Sequence, residues 1–331
     1  MKSAITFCLL LALLLAHAVG AQNATPSARL RKVSGQAYVR VTDWAKTRGF
    51  EVHWLKAGET LELKSSSSKV VLAVDSRQAQ VNGVQVWLFF PVVAQDNAVW
   101  LTKLDADLTL RPLVATPPRQ PGARIKTICL DPGHGGKDPG NQVGSSQEKR
   151  YTLLLAQEVR KQLVRVGFKA TLTRSSDAYV ELPARPGLAR QRKADLFVSL
   201  HFNGTVNRRS TAQGVEVYCL TPAGLASTNA HGEGSDAGSY PGNRHNALNL
   251  FLAYQVQKAL TRNLAVEDRG VRRARFAVLR DAAMPAVLIE AGFMSHPVEG
   301  RQILTSAYRH QVARAIAEGL LAYKRAVERG T

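Results

Sequence analysis

Thr127-Ile128-Cys129-Leu130-Asp131-Pro132-Gly133-His134-Gly135-Gly136 is an apolar run that ends in glycines framing a histidine, the pattern of a strand that delivers a side chain into a tight turn. Two later segments repeat it. Asp195-Leu196-Phe197-Val198-Ser199-Leu200 ends in His201, and Ala286-Val287-Leu288-Ile289 ends in Glu290. Open α/β sheets place their chemistry outside the carboxyl ends of their strands, so three apolar runs capped by ionisable residues predict one shared site.

Working outward, strands and helices alternate from about residue 125 onward. The pattern predicts a helix from about Gln147 to Val166, with Leu155, Val159 and Leu163 on one stripe and Gly167 as its stop. Lys169 to Thr173 reads as a strand, Arg185 to Arg192 as a helix, Gly214 to Leu220 as a strand and Phe276 to Leu279 as another. Two further helices carry Leu252, Val256 and Leu260, and then Val312, Ile316 and Leu320. The expected architecture is α/β, a three-layer twisted and mostly parallel sheet with helices on both faces, preceded by a small β-rich domain.

That smaller domain is expected over residues 22–113, where short alternating runs such as Ala37-Tyr38-Val39-Arg40-Val41 and Val84-Gln85-Val86-Trp87 are separated by turn signals such as Asn82-Gly83. One short helix is expected from Val41 to Phe50, with Thr42 as N-cap and Gly49 closing it. The region resembles the small modules related to the copper amine oxidase N-terminal domain, through its tyrosine-valine strand, helix, tryptophan and Val81-Asn82-Gly83 hairpin. Ala115-Thr116-Pro117-Pro118-Arg119-Gln120-Pro121-Gly122 breaks all periodicity, so residues 114–124 read as a semi-rigid linker and residues 125–326 as the catalytic domain.

Residues 1–21 carry one cation, Lys2, then an apolar run from Ala4 to Ala16 and small residues before Gln22. This is the layout of a cleaved secretory signal, and the run is shorter than the roughly 18 to 20 residues a bilayer span needs. The protein is therefore expected to be exported, periplasmic or wall-associated, with no stable membrane span. The net charge of +19 implies attraction to anionic wall or envelope polymers, unless the cations are a dispersed, solvating surface. Export and the lack of any helix-turn-helix, zinc-finger or RRM signature argue against nucleic acid as a partner. Cys129 and Cys219 both fall in predicted strands, which suits buried thiols and leaves a disulfide open.

Glu148 falls in the first turn of its helix, where no apolar stripe claims it. With His134 and His201 it makes a His₂Glu set, the composition of catalytic zinc sites that leave a fourth position for water. Glu290 ends a nearly pure apolar strand, where an unpaired charge is expensive to bury, so function or a salt bridge must account for it. Arg185 could orient substrate or pair with Asp177 or Glu181. Asn203 could fix His201 or substrate, or simply serve a turn. Arg272, Arg273 and Arg275 form a basic run before the predicted Phe276 strand, suited to substrate carboxylates or to a solvated edge. The Gly- and Ser-rich stretch from Thr221 to Asn246 holds His231, Glu233, Asp236 and His245, and reads as a polar loop in preference to a second metal site.

Residues from about Ile125 to Tyr323 resemble the catalytic domain of the zinc-dependent N-acetylmuramoyl-L-alanine amidases of the Amidase 3 type. The resemblance rests on Leu130-Asp131-Pro132-Gly133-His134-Gly135-Gly136, Glu148, Leu172-Thr173-Arg174 with Asp177, Leu182 and Arg185, Ser199-Leu200-His201-Phe202-Asn203, Asp268-Arg269-Gly270-Val271, and Val278-Leu279-Arg280 leading to Met284-Pro285-Ala286-Val287-Leu288-Ile289-Glu290-Ala291-Gly292-Phe293. It implies one zinc ion per chain on His134, Glu148 and His201, with Glu290 as the catalytic acid and base. The implied reaction is hydrolysis of the amide joining the muramic acid lactyl group to the L-alanine of peptidoglycan stem peptides. Alternatives are a non-catalytic peptidoglycan-binding scaffold and a zinc amidase acting on soluble muropeptides. Ser295-His296 and Phe202 depart from the family pattern without removing a catalytic group. No amphipathic helix is legible between Thr221 and Asn246 that could cover the zinc, so an open site without need of an activator is expected.

Overall fold

The computed structural model describes residues 30–33, 35–115, 124–205, 211–228 and 238–328. The expected signal segment, most of the linker, and His231, Glu233 and Asp236 lie outside them. The N-terminal part is built from β1 (Leu30–Val33), β2 (Gln36–Arg40), α1 (Val41–Lys46), β3 (Glu51–Lys56), β4 (Thr60–Lys64), β5 (Lys69–Ala73), β6 (Gln78–Val81), β7 (Val84–Trp87), β8 (Val93–Gln95) and β9 (Ala98–Thr102). Two short helices close it, α2 (Lys103–Asp105) and α3 (Arg111–Val114), joined by a π-helical turn. Helix α1 begins directly from β2 with Arg40 as N-cap, not Thr42, because Val41, Trp44 and Ala45 form its buried face.

The larger part contains β10 (Thr127–Pro132), β11 (Gln142–Val143), β12 (Ser146–Gln147), α4 (Glu148–Arg165), β13 (Lys169–Leu172), α5 (Ala184–Gln191), β14 (Leu196–Asn203) and β15 (Val215–Leu220). It continues with α6 (Asn246–Asn263), β16 (Asp268–Ala274), α7 (Ala277–Arg280), β17 (Ala286–Phe293), α8 (Glu299–Ile303) and α9 (Ser306–Glu328). Strands β13, β10, β14 and β17 run parallel; β15 is antiparallel to β17 and parallel to β16. A mostly parallel sheet with helices on both faces is thus what forms.

Phe276 to Leu279 is a correction. The strand of that region is Asp268–Ala274, and residues 277–280 are a helical turn, α7. A continuous apolar run of four residues is too short to complete either period, and Val278 and Leu279, adjacent in sequence, are both buried in the layer that covers the sheet. The basic run therefore lies in β16 and just after it.

Strand parity decides which side chains share a face. Ile128, Leu130, Val198, Leu200, Val217 and Ile289 join a core with α4, α6 and α9. The intervening residues face the thinner layer of α5 and α7, where Cys129, Phe197, Tyr218 and Leu288 are buried. Asp131, Ser199, His201, Glu216 and Glu290 have this second parity. The thin layer leaves the strand ends on that side uncovered, and the site forms there.

Cys129 and Cys219 are buried free thiols. Their strands, β10 and β15, are separated by β14 and β17, which precludes a disulfide. No helix among the described residues is long and apolar enough to cross a membrane. The two parts also share one sheet, because β7 pairs in parallel with β16 at Val86 and Val271. The strand order is β13-β10-β14-β17-β15-β16-β7-β6-β5-β4-β3, so β7 covers what would otherwise be an open edge.

Candidate active site

His134 is carried just past β10 on backbone with φ 61°, a left-handed conformation uncommon for a residue with a β-carbon. Two arginines hold it there. Arg185 donates from Nη2 to the His134 carbonyl (2.9 Å), from Nη1 to the Pro132 carbonyl (3.0 Å) and from Nε to the Val180 carbonyl (3.0 Å). Arg174 donates to the carbonyls of Pro132 (3.0 Å), Gly133 (2.8 Å) and Lys149 (2.8 Å). Orphan carbonyls of an irregular loop are thereby satisfied without water.

Arg185 is only 2% exposed and faces this loop, not the cleft; its acid partner is Asp131 at 2.9 Å. Neither Asp177 nor Glu181 takes that place, since Asp177 pairs with Lys149 and Glu181 accepts from Tyr179. Asp131 is fully enclosed and also accepts from Thr173 (2.6 Å) and Ser199 (2.8 Å). Breaking a buried pair by removing one partner costs about 3 to 5 kcal/mol. Arg185→Ala is therefore expected to lower the thermal midpoint by about 10 °C, and an unshifted calorimetric transition would contradict the clamp.

Glu148 opens α4, whose first N–H groups are met by loop carbonyls: Glu148 donates to Asn141 and Lys149 to Pro139. Its side chain is 1% exposed between two imidazoles. Oε2 lies 3.1 Å from His134 Nε2, and Oε1 lies 3.0 Å from His201 Nδ1. The imidazole rings stand edge to face with centroids 4.9 Å apart. Asn141 donates to Oε2 from both its backbone and its amide (2.9 Å each), and the Phe202 N–H donates to Oε1 at 3.1 Å.

Burial opposes the charge on Glu148, but hydrogen bonds from His134 and His201 outweigh it and hold the carboxyl far below its ordinary range. Burial likewise opposes the imidazolium of His134, while Glu148 and Asp138 outweigh it and raise that pKa.

One donor atom each from His134, Glu148 and His201 lies within 4.8 Å of the others, the cluster that could hold a metal ion among the described residues. Two imidazoles and a carboxylate suit a divalent transition metal. The outer partners fit as well. Asp138 takes His134 Nδ1 at 2.8 Å, which turns Nε2 toward Glu148. Two glycines permit the approach. A β-carbon at Gly133 would strike the His201 ring, and one at Gly140 would strike Glu148 and His134.

His201 and Glu290 are register partners on β14 and β17, so both strands run on past residues read from the sequence as their ends. A cleft of about 340 Å³ is lined by His134, Glu148, His201 and Glu290, with Leu182, Phe276, Val278 and Leu288 as apolar walls. Glu290 Oε2 is enclosed and has no hydrogen-bond partner among the described residues. Burial first, then the charges of Glu148 and Glu216, lift its pKa well above the carboxylate range. Such a group takes up a proton more readily than an ordinary carboxylate.

Asn203 does not reach the cluster; its Nδ2 donates to Glu216 Oε1 at 2.9 Å. Arg272 and Arg269 pair with the same carboxylate at 2.9 and 3.3 Å, Arg273 is buried, and Arg275 donates to the Leu225 carbonyl, so all three residues of the basic run are committed internally. His245 Nε2 lies 3.2 Å from the Ala283 carbonyl, away from the cluster. Sequence reasoning missed Asp138, Asn141 and Glu216, and quoted Arg174 within a motif without giving it a role. Glu216 carried the same signal as Glu290, a charge within an apolar strand; Asn141 carried none.

Comparison with known proteins gives the family that the sequence resembles. Residues 128–322 match the N-acetylmuramoyl-L-alanine amidase family, and residues 19–102 match the copper amine oxidase N-terminal domain. An N-acetylmuramoyl-L-alanine amidase of Neisseria meningitidis is 33% identical over 229 residues, a match covering 62% of this chain and 55% of that protein. The Escherichia coli amidase AmiA is 33% identical over 60% of this chain and 76% of its own length. A probable cell wall amidase of Staphylococcus saprophyticus is 30% identical over 82% of this chain and 77% of its own length. Among solved structures, an N-acetylmuramoyl-L-alanine amidase of Nostoc punctiforme superposes with a TM-score of 0.51 at 33% identity, over 61% of this chain and 98% of that one. With the family match spanning more than half of its length, the chain belongs to the N-acetylmuramoyl-L-alanine amidase family.

Proposed function

We propose that the protein is an exported, zinc-dependent amidase that hydrolyses the bond between the muramic acid lactyl carbonyl and the L-alanine of peptidoglycan stem peptides. The observation that carries this reading is the placement of an unpartnered carboxylate oxygen, Glu290 Oε2, in the same cleft as the His134, Glu148 and His201 cluster. A bound zinc ion supplies Lewis acidity, which polarises an amide carbonyl and makes water a stronger acid near neutral pH. Glu148 supplies negative charge and the two imidazoles supply neutral donors to hold that ion. A cation there offsets the share of the Glu290 lift that comes from Glu148, leaving burial and Glu216.

Glu290 then takes a proton from the attacking water and returns it to the alanine nitrogen as the C–N bond breaks. Without that delivery the nitrogen would have to leave as an amine anion. The apolar walls of the cleft exclude competing water from the carboxyl, while Asp138 and Asn141 keep the donors aligned. Export rests on the layout of residues 1–21, and the net charge of +19 suits an anionic, wall-bound polymer.

The decisive experiment incubates purified sacculi with the full protein, with an EDTA-treated sample and with Glu290→Ala. New N-terminal L-alanine, identified by mass spectrometry only in the untreated wild type, is the expected result. New reducing sugar ends, or cleavage unaffected by chelation, would overturn it.

A pH dependence follows. In the metal-free protein His134 has a raised pKa, so its contribution to stability is present below an unfolded value of about 6.5 and is lost as pH rises through the folded one. Glu148 is depressed, so its contribution is present above about 4.3 and is lost as pH falls through the folded value. The metal-free cluster thus contributes most between those limits, while zinc has to displace the His134 proton. The rise in thermal midpoint on adding zinc is expected to grow between about pH 5.5 and 8; a rise independent of pH would count against these ligands.

A further inference from the structure

The N-terminal domain meets the catalytic sheet through side chains that lead toward the metal cluster. Trp87, the last residue of β7, donates from Nε1 to the Arg269 carbonyl at 2.9 Å. The Arg272 guanidinium stacks over its ring, 4.3 Å from the centroid. Arg272 Nε reaches Glu216 Oε2 at 2.9 Å, and Glu216 is 3% exposed. Glu216 Oε1 accepts from Asn203 Nδ2 and from Tyr218 Oη, both at 2.9 Å.

Asn203 ends β14, one residue past Phe202 and across an irregularity that begins at His201. Phe202 is itself pinned, its N–H on Glu148 Oε1 and its carbonyl on the Asn141 amide at 2.9 Å. A shift in the end of β14 is therefore a shift in both His201 and Glu148.

We propose that Trp87, Arg272 and Glu216 are positioning residues through which the N-terminal domain fixes the end of β14 and so sets the metal affinity of the catalytic cluster. The proposal rests on the reading of His134, Glu148 and His201 as metal ligands. Its physical basis is that a buried carboxylate fixes its neighbours only while its own charge is met. Arg272 meets that charge, with Arg269 behind it, and Trp87 holds the Arg272 plane in place. The second domain then supports the site from behind, through the β7–β16 pairing and the Trp87–Arg272 contact, without lining the cleft itself.

The test measures zinc affinity of the full chain by competition with a chelating dye, beside the thermal midpoint of the zinc-free protein. Trp87→Ala, Arg272→Ala and Glu216→Gln are each expected to weaken zinc binding about tenfold, the lower end of what outer partners of a metal site contribute. Arg272→Lys restores the charge and recovers part of the loss. Tyr254→Phe is the control, because it removes a 3.1 Å bond to the Val81 carbonyl across the same domain junction without touching the relay. It should lower the midpoint while leaving zinc affinity within about twofold. Trp87→Phe keeps a ring and stays informative if the alanine variant fails to fold.

Zinc affinity unchanged in the Trp87 variants, or lost equally in Tyr254→Phe, overturns the proposal alone. A wild-type chain that takes up no zinc overturns the metal reading and this proposal with it.

Discussion

Replacing Glu290 by glutamine is expected to lower the release of N-terminal L-alanine from sacculi by about a thousandfold, the middle of the range for a positioned proton carrier. The amide keeps the shape of the side chain and removes its ability to take a proton. It also removes a liability. Burial, with the charges of Glu148 and Glu216 adding to the lift, disfavours the ionised form of the Glu290 carboxyl relative to an ordinary carboxylate. The variant is accordingly expected to melt no lower than the wild type and to keep its zinc. Loss of turnover with undiminished stability and metal content separates a chemical role from a structural one. A variant retaining more than about a tenth of the activity would remove Glu290 from the mechanism.

Glu148→Gln is expected to abolish zinc binding in practice. Losing an outer partner of a metal site costs about 10- to 100-fold in affinity, so losing the charged ligand itself should exceed the upper figure. The position tolerates little else. Glu148 is 1% exposed, held by two imidazoles, Asn141 and the Phe202 N–H, and cannot be replaced by a neighbour swinging in. Zinc at about 100 times its dissociation constant should stabilise the wild type by about 2.7 kcal/mol. The variant should show no such shift in a thermal melt and no zinc after dialysis. Equal zinc content in the two proteins would assign the metal to other residues.

Much of this is legible in the sequence. The glycine-framed His134, and His201 and Glu290 in apolar strands, announced themselves because a buried sheet tolerates few ionisable side chains. Helix α4 and its Gly167 stop followed from spacing, as did Leu252, Val256 and Leu260 on α6. Phe276 to Leu279 misled because a four-residue apolar stretch fits the strand and helix periods equally well, and its position against the cleft wall made it helical. For Arg185 the sequence offered substrate or a carboxylate at Asp177 or Glu181, because it does not show that Asp131, 54 positions earlier, is buried beside it.

The sequence by itself determined the alternation of strands and helices outside residues 268–280, the candidate histidines and glutamates, and the presence of a second, β-rich domain, since all of these are written in local period and in charges set within apolar runs. Only the tertiary structure decided which outer residues hold His134, Glu148 and His201, that Asn203 serves Glu216 and not that cluster, and that β7 and β16 make one sheet of two domains. Those facts depend on which strands become neighbours and on which face each residue presents. Pairing across long sequence separations is fixed by packing the whole core, and no local stretch of the chain records it.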